Sequence, residues 1–400
     1  MRFCMVTTFY PPYHFGGDAT YVRALARALV ARGHSVEVVH CEDAYRLHGK
    51  EIDERASTID EGIVVHRLKS GLGLLSPLIT QQTGHPGLKS ADLRRLLDRP
   101  FDVVNFHNVS LVGGPAVLAL SHAPVTLYTL HEHWLLCPTH IFWKNRSAAC
   151  EVKQCIRCSV RSGIPPQIWR YTGLIERSVT HVDAFISPSE FTARLHREAG
   201  IGPVQVMPLF SSLDPGVLAD AAKLPRPDFL FVGRMTASKG VIPLLEQFAQ
   251  LPQYDLTLVG EGDLRERLQR EYSGHANIRF LGLIPQERLT GLYRAATALV
   301  FPSLAPETFG LSIAEAFACG TPAIVHDAGG SRELIDSTGG GIVYRTNAEL
   351  LDALRAFADD PDLRIRLGRR ARAGFENLYT QRRHVDAYLA CIEEIRRTKL

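Results

Sequence analysis

One stretch, Ala298 to Glu333, constrains the fold of this 400-residue chain more than any other. It opens on the apolar run Ala298-Leu299-Val300-Phe301, which has the length and composition of a buried strand. Pro302, Pro306 and Gly310 then break the chain into a loop. Leu311 to Cys319 carries a helical pattern that Gly320 and Pro322 stop. A second strand is expected at Ala323–His326, followed by the turn Ala328-Gly329-Gly330. Strand, loop, helix and strand in this order make one crossover unit of a parallel sheet. Ligands of open α/β sheets bind at the carboxyl ends of such strands.

Two carboxylates stand in this unit. Glu307 lies on the loop, and Glu315 lies about five residues into the helix, roughly 7–8 Å along its axis. Between them, the amides of Phe309, Gly310 and Leu311 are expected to be free at the positive end of the helix, where a phosphate is stabilised. Two acids at this spacing, with F-G-L between them and E-A-F-A-C-G-T-P running on from the second, resemble the signature of a large family. This is the group 1 (family 4 type) glycosyltransferases, retaining enzymes with the GT-B fold. The resemblance implies an α/β chain with two Rossmann-like domains facing across a cleft. It implies a nucleoside-diphosphate sugar as donor and an acceptor hydroxyl, with retention of configuration. In it Glu307 would position the sugar and Glu315 would hold the nucleoside ribose. The bland alternative is a surface acid and a helix-face acid in an ordinary Rossmann unit.

Length suits two domains. Hydrophobic content of 46% and charged content of 22% are those of a soluble globular protein. A net charge of +3 is too small to imply nucleic-acid binding. No apolar run reaches bilayer length, and the N-terminus enters a strand without an apolar export region. A cytoplasmic location, peripheral at the inner face of the membrane, is the expectation.

The first domain is expected over 1–207. Its opening strand, Arg2–Thr8, leads through Pro11-Pro12 to Gly16-Gly17 and a helix, so Gly16 and Gly17 are candidates for close backbone approach to the donor. Strands at Asp102–Phe106 and Val125–Leu130 follow, the second ending in His131-Glu132-His133. A histidine at such a strand end points at ligand. The family's histidine beside the donor sugar maps onto His131, whereas a packed core histidine is the plain alternative. Glu132 and His133 are weaker candidates.

A linker is expected at 208–227 and a nucleotide-sugar-binding domain at 228–378. A last helix, 379–400, should cross back to the first domain, as the resemblance implies. After the strand Phe229–Val232, Arg234 and Lys239 stand five apart on a glycine-containing turn, which suits a pyrophosphate clamp. The same G-R…S-K-G string holds the donor diphosphate in the resembling family. Gly262, after the strand Asp255–Val259, is expected to line the base pocket. The one D-x-D string, Asp360-Pro361-Asp362, falls between expected helices, so no metal is expected in catalysis.

Residues 137–177 form an insertion. From 144 to 177 seven cations face two glutamates, with Phe142, Trp143, Trp169 and Tyr171 nearby. Such a segment suits a saccharide or lipid-linked anionic acceptor, membrane headgroups, or a merely solvated face. Cys137, Cys150, Cys155 and Cys158 fall at C-x12-C-x4-C-x2-C. A structural zinc and four reduced thiols are both compatible with that spacing. Two rival functions stay open. One is another GT-B enzyme, such as a phosphorylase or a sugar-nucleotide epimerase. The other is a non-catalytic GT-B binding subunit.

Overall fold

The computed structural model describes residues 1–47, 49, 51–53, 58–211, 213 and 226–399. Most of the expected linker, 208–227, lies outside them. The described chain divides into two compact units. The first comprises Met1–Ile141, Lys153–Pro208 and the C-terminal helix Gln381–Lys399. The second comprises Phe142–Val152 and Leu209–Thr380.

In chain order the strands are β1 (Arg2–Val6), β2 (Ser35–Cys41), β3 (Ile59–Asp60), β4 (Ile63–Leu68), β5 (Val103–Phe106) and β6 (Val125–Thr129). The hairpin β7 (Trp143–Lys144) and β8 (Ala148–Ala149) follows, then β9 (Ala184–Ser187) and β10 (Val204–Val206). The second unit's sheet is made of β11 (Asp228–Val232), β12 (Asp255–Val259), β13 (Ile278–Gly282), β14 (Ala298–Phe301), β15 (Ala323–His326) and β16 (Gly341–Tyr344).

The first sheet runs β10-β9-β6-β5-β1-β2-β4-β3 and is parallel except for the short β3 at its edge. The second runs β13-β12-β11-β14-β15-β16 and is parallel throughout. Each order reverses beside the first strand of the unit. The switch falls between β5 and β1 in the first sheet and between β11 and β14 in the second. At a switch the two flanking loops leave in opposite directions and open a crevice at the carboxyl ends. The apolar strand runs explain why both sheets are covered on their faces. Phe229, Leu244 and Phe248 are fully buried in the second core, each contributing roughly 1.5–3 kcal/mol of hydrophobic stabilisation.

The C-terminal helix is tied to the first sheet and to the helix Gly17–Ala31 by polar contacts as well as by packing. Asn105 Nδ2 donates to Tyr388 Oη at 3.0 Å, and Tyr21 Oη lies 2.5 Å from His384 Nε2. The Asp360-Pro361-Asp362 string has a structural explanation. Asp360 caps the helix Pro361–Leu378, accepting from the amide of Leu363 at 2.8 Å.

Candidate functional site

The second unit builds its site at the β11/β14 switch. The loop after β11 ends at Lys239 and Gly240. Gly240 has φ of +67°, and a Cβ there would sit 1.9 Å from the carbonyl oxygen of Pro302. Only glycine lets the two switch loops touch backbone to backbone. That contact places Lys239 beside Glu307, Nζ to Oε1 at 2.6 Å, with both side chains largely shielded. Ser303 donates to the same carboxylate oxygen. Glu307 is held from behind as well. Its carbonyl accepts from Gly330 at 2.7 Å, and Gly329, at φ of +76°, leaves room for its backbone.

The helix Leu311–Ala318 starts at once, with Gly310 at φ of +135° as its cap residue. Among the described residues the amides of Phe309, Gly310 and Leu311 donate to no recorded partner, and the first turn carries no acid. Its positive end is therefore open. The side chain of Phe309 is buried edge-on against Tyr379, at 5.7 Å between ring centres, so only its backbone faces the site. Arg234 is exposed and makes no ion pair among the described residues.

Glu315 lies deeper. Tyr293 Oη donates to its Oε2 at 2.7 Å. Burial pushes the carboxyl up to about 7, while the tyrosine's hydrogen bond pulls the other way. Gly262 lets the β12 loop lie on the β11 loop: a Cβ would meet the Met235 carbonyl oxygen at 2.4 Å, and Met235 donates to the Glu261 carbonyl at 2.8 Å. The geometry of Gly262 is accounted for by this loop-on-loop packing.

The first unit builds a different site at the β5/β1 switch. His107, just after β5, shares a hydrogen bond with His131, just after β6, Nδ1 to Nε2 at 2.9 Å. The rings stack with centres 5.2 Å apart, and Tyr21 packs edge-on to His131 at 5.0 Å. Burial pushes His131 down to about 4, against the pull of Asp18, and pushes His107 well below the usual imidazole range. Both are neutral near pH 7. Gly16 precedes the helix Gly17–Ala31 in extended conformation, and Asp18 occupies its first turn. Asn108 Nδ2 lies 3.4 Å from Asp18 Oδ2. Glu132 pairs with His140 at 2.8 Å. His133 is buried and stacks on His196, which makes it a core residue.

Tyr293, Ser303, His107 and Asp18 are absent from the sequence reading of the site. Tyr293 comes from the helix before β14 and His107 from the end of β5, so no local motif reveals them, whereas Ser303 stands four residues before Glu307 on the same loop. Asp18 adjoins the quoted glycine pair and was open to recognition there.

Cys137, Cys150, Cys155 and Cys158, the candidate zinc ligands, are not gathered into one ligand set. Among the described residues no three His, Cys, Asp or Glu side chains are placed to hold a metal ion. All eight cysteines are free thiols. Cys137 Sγ lies 3.2 Å from Thr139 Oγ1, Cys158 Sγ lies 3.9 Å from Ser162 Oγ, and Cys150 Sγ lies 3.7 Å from the Val152 carbonyl oxygen. Burial raises the Cys155 thiol, and the neighbouring Cys137 raises it further.

Two family models match the chain. The "Glycosyl transferase 4-like domain" matches residues 16–209, and "Glycosyl transferases group 1" matches residues 220–374. The glycogen synthase of Mycobacterium tuberculosis is 29% identical over 394 residues, covering 93% of this chain and 89% of that protein. Among solved structures, the sucrose-phosphate synthase of Thermosynechococcus elongatus matches with a TM-score of 0.78 at 21% identity, covering 98% of each chain. Anabaena HepE, solved in complex with UDP, matches with a TM-score of 0.69 at 18% identity, covering 98% of this chain and 100% of that one. No described helix is long and apolar enough to cross a membrane. The two matched models, the two parallel sheets and the shared fold agree that this chain belongs to the group 1 glycosyltransferases with the GT-B fold.

Proposed function

We propose that this glycosyltransferase takes a nucleoside-diphosphate sugar as donor and transfers the sugar to an acceptor hydroxyl with retention of configuration. The observation that carries the donor assignment is the β11/β14 switch. Two cations, Arg234 and Lys239, and an open helix end at Gly310 lie on loops that Gly240 brings into contact. Breaking the sugar C1–O bond moves negative charge onto the diphosphate. Lys239, Arg234 and the amides of Phe309, Gly310 and Leu311 stabilise that charge as it develops. These groups supply the positive charge that a divalent cation would otherwise bring, and transfer therefore proceeds in a chelator.

Glu307 holds the sugar hydroxyls. Its ion pair with Lys239 orients both side chains before the donor arrives. Glu315, with Tyr293 behind it, accepts from the ribose hydroxyls. Gly262 borders the base. In the first unit His131 takes the role that the family gives the histidine at this strand end. Gly16 and Gly17 stay among the donor-binding residues on the strength of the resemblance. HepE and the starch synthase IV of Arabidopsis thaliana were solved with UDP and with ADP, which supports a nucleotide donor without choosing the base. A saccharide or lipid-linked acceptor, in polysaccharide or glycoconjugate assembly, fits this class of donor.

Calorimetry with UDP-, GDP- and ADP-sugars tests the donor assignment. One base should bind at least tenfold tighter than the others, because an unmatched base leaves buried polar groups unpaired. No heat with any of the three would remove the assignment.

A further inference from the structure

We propose that the first unit docks on an anionic lipid surface through one face. That face is built from the helix Leu75–Thr83, the helix Cys155–Arg161 and the 3-10 turn Ile168–Tyr171. The proposal rests on no part of the transfer reading.

The helix Leu75–Thr83 buries Ser76, Pro77, Thr80 and Gln81 and leaves Leu75 54% and Leu78 38% exposed, with Leu74 at its start 48% exposed. The buried hydroxyls hold the amine of Lys89, which is itself 1% exposed, at 2.8 Å from Ser76 Oγ and 3.1 Å from Thr80 Oγ1. A helix of a free-standing globular unit turns its apolar side inward. Here two buried hydroxyls hold an interior amine, and Leu75 and Leu78 stay exposed.

The same arrangement continues next door. Trp169 Nε1 donates to the Gln81 carbonyl at 2.9 Å, and Gln81 Nε2 donates to the Pro165 carbonyl at 2.9 Å. These bonds lay the segment 165–171 along the helix, with Ile168 58% and Tyr171 61% exposed. Ile156 and Val160, four apart on their helix and so on one side of it, are 50% and 62% exposed. Among the described residues, nine of the seventeen exposed large hydrophobics fall within 72–88 and 156–171, two segments joined by the bonds of Gln81 and Trp169.

Charge selects the occupant. Residues 69–90 contain no acid at all. Residues 153–177 carry Lys153, Arg157, Arg161, Arg170 and Arg177 against Glu176 alone. Arg157 and Arg161 are exposed and adjoin Ile156 and Val160. A second copy of this chain would bring the same cations against themselves. A bilayer with anionic headgroups offers negative charge above an apolar layer, and so matches both halves of the face.

Co-sedimentation of the full chain with lipid vesicles tests this. The chain should bind vesicles containing about one-third phosphatidylglycerol and release as salt rises, since surface charge is screened beyond a Debye length. Pure phosphatidylcholine should retain much less. Arg157→Gln with Arg161→Gln should weaken partitioning by about fivefold per charge. Leu75→Ser with Leu78→Ser should weaken it tenfold or more through lost apolar burial. All four side chains are exposed, so an unchanged melting curve is expected in both variants. If the parent stays in the supernatant with anionic vesicles at low salt, the proposal fails. It also fails if sedimentation velocity without lipid finds a dimer that Leu75→Ser with Leu78→Ser dissolves, because the face would then bind a second copy. Those two readings need no variant to be active, and the first needs no variant at all.

Discussion

The two switch points are made by the same backbone device and filled with opposite chemistry. In the second unit the loops bring a lysine, an arginine and a glutamate to a helix whose first turn holds no acid. In the first unit two stacked imidazoles, both held neutral by burial, stand near a helix whose first turn already holds Asp18. A parallel sheet supplies crevices and helix ends without regard to ligand. Side chains then decide whether the crevice attracts an anion. On the proposed reading the second does, because its helix end is open and Arg234 is exposed. The first brings no cation of its own, because its rings are neutral and Asp18 stands in the first turn of its helix.

The largest expected effect breaks this contrast directly. Lys239→Ala should lower transfer by about 10²–10³-fold and weaken the nucleoside diphosphate by at least tenfold, because it removes a charge-assisted contact and leaves Glu307 without its counter-ion. His131→Ala should lower transfer and leave diphosphate affinity within about twofold, since a neutral imidazole brings no positive charge to the phosphates. Equal losses of diphosphate affinity in both variants would erase the distinction between the sites.

A smaller effect sharpens the contrast through pH. Glu315 is pushed up to about 7 from an ordinary 4.5, so the folded protein holds a proton there that the unfolded chain has lost. Between those values this carboxyl makes folding stability fall as pH rises. Glu315→Gln should therefore gain stability relative to the parent across that window. Affinity for a nucleotide sugar, whose diphosphate does not titrate there, should strengthen in the parent as pH passes 7 and the carboxylate becomes an acceptor. In Tyr293→Phe the midpoint should move up by about one pH unit, the worth of a hydrogen bond to a charged group. Calorimetry of the three proteins from pH 6 to pH 9 checks this. A flat parent profile would place Glu315 away from the ribose.

The smallest effect concerns the cysteine segment. Cys155→Ser should leave melting within about 1–2 °C and transfer unchanged, because a half-buried thiol that holds no metal is nearly isosteric with a hydroxyl. Stoichiometric zinc in the parent, lost in this variant, would restore the metal reading.

Local order carried most of the fold. Strand runs such as Asp255–Val259, Ala298–Phe301 and Ala323–His326 are readable residue for residue, because a buried parallel strand is a mostly apolar run bounded by turn residues. The helix Leu75–Thr83 was not readable, since it buries Ser76, Thr80 and Gln81 while Leu75 and Leu78 stay exposed, and so shows no apolar stripe. The CxxC pair shows a related limit of spacing. Spacing reports only which ligands a short turn could offer, and Cys155 and Cys158 lie on one helix, with Cys158 Sγ near Ser162 Oγ.

By itself the sequence determined which residues carry charge at the switch loops. Lys239, Glu307, Gly310 and Glu315 fall within short strings whose glycines permit only a few backbone paths. Only the tertiary structure decided their partners and protonation. Tyr293 reaches Glu315 from the helix before β14, and His107 reaches His131 from the neighbouring strand. Burial then shifts both sites toward their neutral forms. Desolvation and hydrogen bonding depend on what surrounds a group in three dimensions, and residues twenty or more positions apart meet only once the sheet order brings their loops together.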